Sequence, residues 1–166
     1  AVGNWYACFA CQVEPEPKPI NELAIGIDMG LECLAKFSDG EGIANPRFFR
    51  RDEKELAKAQ RKLSKAEKGT PERAKRRRAV QHIHQRIANR RRNFAHQKSR
   101  ELVNRFGLIA FEDLSIKSML QNHRLAKSIS DAAWRQLIQY TTYKAENAGR
   151  VVVWVEPRDT SQKCSC

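Results

Sequence analysis

No run of about 18 apolar residues occurs anywhere in the 166-residue sequence, so no membrane-spanning helix and no membrane partner are expected. The opening residues lack the basic stretch followed by an apolar core that marks a secretory leader, and the chain reads as cytoplasmic. Cysteines are few and odd in number. The five, at positions 8, 11, 33, 164 and 166, form no disulfide framework and read as buried thiols or metal ligands. Acidic residues are scarce where basic ones crowd. Between Arg47 and Arg100 there are 20 Lys and Arg against 5 Asp and Glu, a net +15, whereas the remainder of the chain carries −3 of its total +12. Charge needed only for solubility would be spread out. A field this local points to a polyanion, and nucleic acid comes first.

What is present argues for a globular part within a polar whole. Apolar residues make up 41% and there are three Trp, while 30% charged residues and a mean hydropathy of −0.66 imply much solvated surface. The length suits one ordinary domain with room for an extra lobe. Residues 2 to 13, VGNWYACFACQV, are aromatic and small-apolar without a helix breaker and predict a strand. Ala1 is not an initiator Met and the strand starts at once, which reads as entry into the middle of a larger protein. EPEPKPINE follows as a stiff, proline-set connector, placing a boundary near 14 to 22. The CFAC spacing at 8 to 11 puts its two thiols on opposite faces of a strand, so these, like Cys33, are expected as core thiols, and Trp5 and Trp154 as core aromatics.

LAIGIDMG (23 to 30), LECLAKFS and DGEGIA are short segments separated by turn residues, the pattern of a three-strand meander. From Asp52 the period becomes helical through Leu56, Ala59, Leu63 and Ala66. GTPE then supplies a turn, a Thr cap and a Pro at the first helical position. Val80, Ile83, Ile87, Phe94, Leu102 and Phe106 carry a second helical stripe to Gly107, read as its stop, so the segment predicts a long helical hairpin. LIAFEDL (108 to 114) predicts a strand. Residues 130 to 149 predict one helix, capped by Ser130, stopped by Gly149 and buried along Trp134, Leu137, Ile138 and Ala145. VVVWVEP (151 to 157) predicts a last strand. A meander followed by helix, strand, helix and strand describes an α/β domain whose mixed sheet is flanked by helices, the RNase H-like arrangement.

Two carboxylates stand out within this order. Asp28 ends the apolar run of Ile25 and Ile27, and Glu112 ends that of LIAF. Each is a plain strand-end acid on one reading. On the other, two such acids on strands that the fold places side by side bind a divalent cation, which offsets the cost of desolvating them. Glu112 and Asp113 point to opposite faces, so only one of them can look into the site.

GIDMGLECLAKFSDG, FEDLSIKSM and VEPRDTSQKCSC, in this order, resemble the RuvC-like nuclease of the TnpB and OrfB proteins of insertion sequences, over nearly the whole chain. The resemblance implies a transposon-encoded, RNA-guided DNA endonuclease with DNA and a guide RNA as partners and Mg²⁺ and Zn²⁺ as cofactors. It makes Asp28 the first catalytic carboxylate and Glu112 the second, both as Mg²⁺ ligands. It makes Cys164 the first zinc ligand, and the second would fall at position 167. The third catalytic Asp of the family follows the zinc ribbon, and this chain has none there. The chain as given is therefore expected to bind nucleic acid without cleaving it. The implied division is the end of a preceding β domain and a linker at 1-20, a RuvC-like nuclease domain at 21-158 with the basic helical hairpin inserted at 47-106, and the start of a zinc ribbon at 159-166.

The hairpin supplies the expected nucleic-acid contacts: Arg73, Lys75, Arg76, Arg77, Arg78, Arg86, Arg90, Arg91 and Arg92. The two arginine triplets lie 14 residues apart, about 21 Å along one side of a helix, and the clusters are expected to lack acidic partners. His82 and His84 do not share a face, so no metal site is expected there. The alternative function is a non-catalytic nucleic-acid-binding module that kept the fold and the hairpin.

Overall fold

The computed structural model describes residues 5, 7–12, 18–114, 121 and 126–156. Among the described residues, five strands and four helices run in the order β1 (Ala24–Met29), β2 (Cys33–Phe37), β3 (Gly42–Ala44), α1 (Phe48–Ser64), α2 (Pro71–Arg105), β4 (Leu108–Glu112), α3 (Ala126–Ala132), α4 (Trp134–Asn147) and β5 (Val151–Val155). The strands form one sheet in the order β3-β2-β1-β4-β5. The first three pair antiparallel, as the turn-rich meander predicts, and β4 and β5 add parallel to β1. The fold is mixed α/β.

Register decides what each face of the sheet carries. Ile25 lies beside Ile109 and Ile27 beside Phe111, and all four are buried, which puts the apolar half of both alternations on one face. Gly26 beside Ala110 belongs to the other face. Gly107, read from sequence as a helix stop, has a different reason to be glycine. A Cβ there would lie 1.6 Å from the backbone oxygen of Asn21, so only glycine lets the start of β4 approach the segment entering β1. Gly149 does act as a stop: its φ is +64°, its N–H donates to Glu146 and that of Arg150 donates to Ala145, which closes the end of α4.

The chain divides into two compact units, Ala1–Glu14 with Arg47–Phe94, and Pro15–Pro46 with Ala95–Cys166. In the first, α1 and the first part of α2 share a core of Leu56, Val80, Ile83 and Ile87, joined by Phe48, Phe49, Ala59 and Leu63. The α2 start is the one read from GTPE: Pro71 is the first helical residue and the Thr70 hydroxyl accepts the N–H of Arg73 at 3.2 Å. In the second unit, Trp134, Leu137, Ile138, Thr141 and Ala145 form the buried face of α4.

Three sequence expectations are corrected. The described residues among 2 to 13 form no strand, and Trp5, Phe9, Cys8 and Cys11 are exposed. A strand is held by backbone pairing, and among the described residues no partner strand meets this segment. Cys33, also expected in the core, is only half-buried, and Trp154 is about half exposed on the edge strand β5. The single helix expected at 130 to 149 is two helices: α3 begins at Ala126, before Ser130, and Ala133, in the left-handed conformation with φ 54°, separates it from α4. No helix among the described residues is long and apolar enough to cross a membrane.

Candidate metal and nucleic-acid site

Asp28 lies next to last in β1 and Glu112 is last in β4. The parallel register sets Ile27 beside Phe111, so one step further along both strands the two acids are neighbours across a strand spacing of about 4.8 Å. Their carboxyls are within hydrogen-bonding contact. The backbone on either side is held by other elements. The Trp134 indole N–H donates to the Gly30 carbonyl at 3.2 Å, fixing the exit from β1, and the Asp113 N–H donates to the Val155 carbonyl at 2.8 Å, fixing the exit from β4.

Desolvation raises the pKa of Glu112 above the ordinary carboxylate value. A hydrogen bond that its protonated form donates to Asp28, and the negative charge of Asp28, raise it further. Glu112 is half-buried and Asp28 exposed, so the desolvation argument made from the sequence applies to Glu112 and not to Asp28. Two adjacent carboxylates are a donor set for a hard divalent cation with oxygen and water ligands, and Mg²⁺ fits that chemistry. Among the described residues no group of three or more His, Cys, Asp and Glu side chains gathers at a potential metal site, so these two would leave most of the coordination shell to water or substrate. Cys164, the expected zinc ligand, lies outside the described residues.

The basic residues of α2 do not act alike. The Arg73 guanidinium donates to the Leu63 and Ala66 carbonyls at 3.1 and 2.7 Å, and so clamps the turn between α1 and α2. Arg76 pairs with Glu72 at 2.5 Å. Arg86 reaches Asp52 at 3.1 Å and also Glu55, and Arg90 reaches Asp52 at 3.2 Å. The expectation that these clusters lack acidic partners is therefore corrected. Glu72 stands one helical turn before Arg76, and the partners of Arg86 and Arg90 stand 31 to 38 residues earlier, on α1, where no helical spacing along α2 could reveal them. A signal did exist: Asp52 falls on the stripe of Leu56, Ala59 and Leu63, and it is buried. Lys75, Arg77, Arg78 and Arg92 are exposed, and Arg92 donates to the Asn89 Oδ1 at 3.1 Å; Arg91 is half-buried.

Sequence reasoning passed over Lys144. It is buried within α4, and its ammonium donates to the His96 carbonyl and to Ser99 Oγ, both at 2.7 Å. Burial lowers its pKa, and the nearby Arg100 adds to that shift. Its place on the Leu137, Thr141, Lys144 stripe is the trace it leaves in the sequence.

A family model described as a probable transposase, OrfB of the IS605 type, matches residues 8–123, and a second, the Cas12f1-like TNB domain, matches residues 134–166. A putative RNA-guided DNA endonuclease of Streptomyces pristinaespiralis is 41% identical over 93% of this chain and 38% of its own length. The putative RNA-guided DNA endonuclease InsQ of Escherichia coli (strain K12) is 30% identical over 98% of this chain and 44% of its own length. The chain thus spans about four-tenths of the length of the curated relatives it matches. A cryo-EM structure of a Cas12f1–sgRNA–target DNA complex shares the fold, with a TM-score of 0.54 at 15% identity over 90% of this chain and 39% of that one. By the match that covers most of its length, the chain belongs to the OrfB family of IS605-type probable transposases.

Proposed function

We propose that this chain forms the nuclease-domain portion of a transposon-encoded RNA-guided DNA endonuclease, with an RNase H-like sheet at 21-158 and a basic helical insertion at 47-106. The observation that carries the reading is the meeting of Asp28 and Glu112 at neighbouring ends of parallel strands, where burial and the Asp28 carboxylate raise the pKa of Glu112. The names of the two relatives, both putative RNA-guided DNA endonucleases, support DNA as substrate and an RNA as guide.

Asp28 and Glu112 would hold Mg²⁺. When bound there, the ion would neutralise charge on a phosphodiester and make water a better nucleophile. The protein's own contribution is placement. Gly30 and Asp113, tied to α4 and β5, fix the backbone beside each carboxylate, and the exposed Lys75, Arg77, Arg78 and Arg92 offer positive charge to a phosphate backbone. Zn²⁺ at Cys164 belongs to the same reading.

Mn²⁺ added to the ¹⁵N-labelled chain provides the test. Its paramagnetism is expected to broaden the amide signals of residues 27 to 29 and 111 to 113 first, and Asp28→Asn with Glu112→Gln is expected to abolish that selectivity. Broadening centred elsewhere, or unchanged in the double variant, overturns the assignment.

A further inference from the structure

Two exposed charges on α4 run against the helix that carries them. Arg135 stands in its first turn and Glu146 in its last, the reverse of the signs that the helix dipole favours. Among the described residues neither side chain has an ion-pair partner to offset this. Taking 100° per residue, Arg135, Gln139, Thr142 and Glu146 fall within an arc of about 60°, roughly 110° round the helix from its buried face. This flank looks over β5, because its residues line a groove of about 400 Å³ together with the exposed Tyr143 and Trp154. β5, VVVWV, is the outermost strand on its side of the sheet, and among the described residues no strand pairs with its outer edge. It carries none of the charges or prolines that keep bare edges from pairing, and Val151, Trp154 and Val155 are exposed on it.

We infer that this flank is a pairing surface for a second copy of the chain, with the two α4 helices antiparallel about a two-fold axis and the bare edges of β5 meeting beneath them. The charge pattern selects that occupant. Arg135 and Glu146 lie 11 residues apart, about 16 Å along the helix, with opposite signs at the two ends and uncharged Gln139 and Thr142 between them. A two-fold axis through the middle of the strip sets each Arg135 against the partner's Glu146, so one surface complements itself. The strip sums to zero charge in a chain of net +12, so two copies meet there without adding to their mutual repulsion, and its acidic end disfavours a nucleic acid. Tyr143 and Trp154 supply the apolar contact of such an interface. The inference is independent of the nuclease reading. Trp154 shares a face of the sheet with its neighbour Phe111, whereas Glu112 lies on the other face, so pairing leaves both carboxylate pairs open.

Sedimentation velocity of the full chain, freed of nucleic acid and run over a concentration series, tests this. Dimers are expected at concentrations on the order of 100 µM, the weak range of a small and partly polar interface. Arg135→Glu alone, or Glu146→Arg alone, sets like charges together at both ends of the strip and is expected to weaken association by about tenfold or more. Each substitution suits the helix dipole better than the residue it replaces, so the variants are expected to fold, as circular dichroism would show. Arg135→Glu with Glu146→Arg in one chain restores the match and is expected to return association to within about threefold of wild type. A chain that stays monomeric throughout the series overturns the inference. So does a dimer that neither single substitution weakens, or a double variant that pairs no better than the single ones.

Discussion

Glu112 concentrates the chemistry of the site in one side chain, because burial and the neighbouring Asp28 both raise its proton affinity. Its folded-state pKa lies above the unfolded value. Between those two values the folded chain keeps a proton that the unfolded chain has released, so stability falls as pH rises through that window, and the full cost persists at neutral pH. Glu112→Gln removes the ionisation. The variant is expected to melt at a higher temperature than wild type at pH 7 and to match it near pH 3, followed by circular dichroism. A lower melting temperature at pH 7 would show that the glutamate is structurally favourable as it stands. Asp28 and Glu112 were legible from sequence because each ends an apolar run, which is chemically out of place. Lys144 was harder to read, since the His96 carbonyl and Ser99 hydroxyl that satisfy it lie 48 and 45 residues away.

At the level of elements, what the sequence revealed depended on whether the deciding contact was local. The Thr70 cap and Pro71 start of α2 act within one turn, and both appear where the sequence puts them. The break between α3 and α4 carries no glycine or proline to announce it. Ala133 takes a left-handed conformation there, and directly after it Trp134 is buried with its indole hydrogen-bonded to the Gly30 carbonyl. An alanine in that conformation costs about 1–2 kcal/mol, of which glycine recovers part after its own entropic penalty. Ala133→Gly is expected to stabilise the chain by about 0.5–1 kcal/mol in urea denaturation, and a loss of stability would show that the break is not strained. The aromatic stretch at 5 to 12 shows the reverse failure. Its composition suits a strand, but strand formation depends on a pairing edge that composition does not encode.

For the whole molecule, the charge census and the order of elements gave the outline: a mixed sheet carrying two acids and a helical segment carrying the basic excess. The census could not sort that excess. The fold commits Arg73, Arg76, Arg86 and Arg90 to internal partners and leaves Lys75, Arg77, Arg78 and Arg92 exposed. The central claim is that the sheet brings Asp28 and Glu112 together as one divalent-cation site. Titrating the ¹³C-labelled carboxyl of Glu112 by NMR, with and without Mg²⁺, tests it most directly. The expected result is a metal-free pKa above the ordinary glutamate value that falls when Mg²⁺ is added, with the Mg²⁺ effect lost in Asp28→Asn. An ordinary pKa that does not respond to Mg²⁺ would contradict the account.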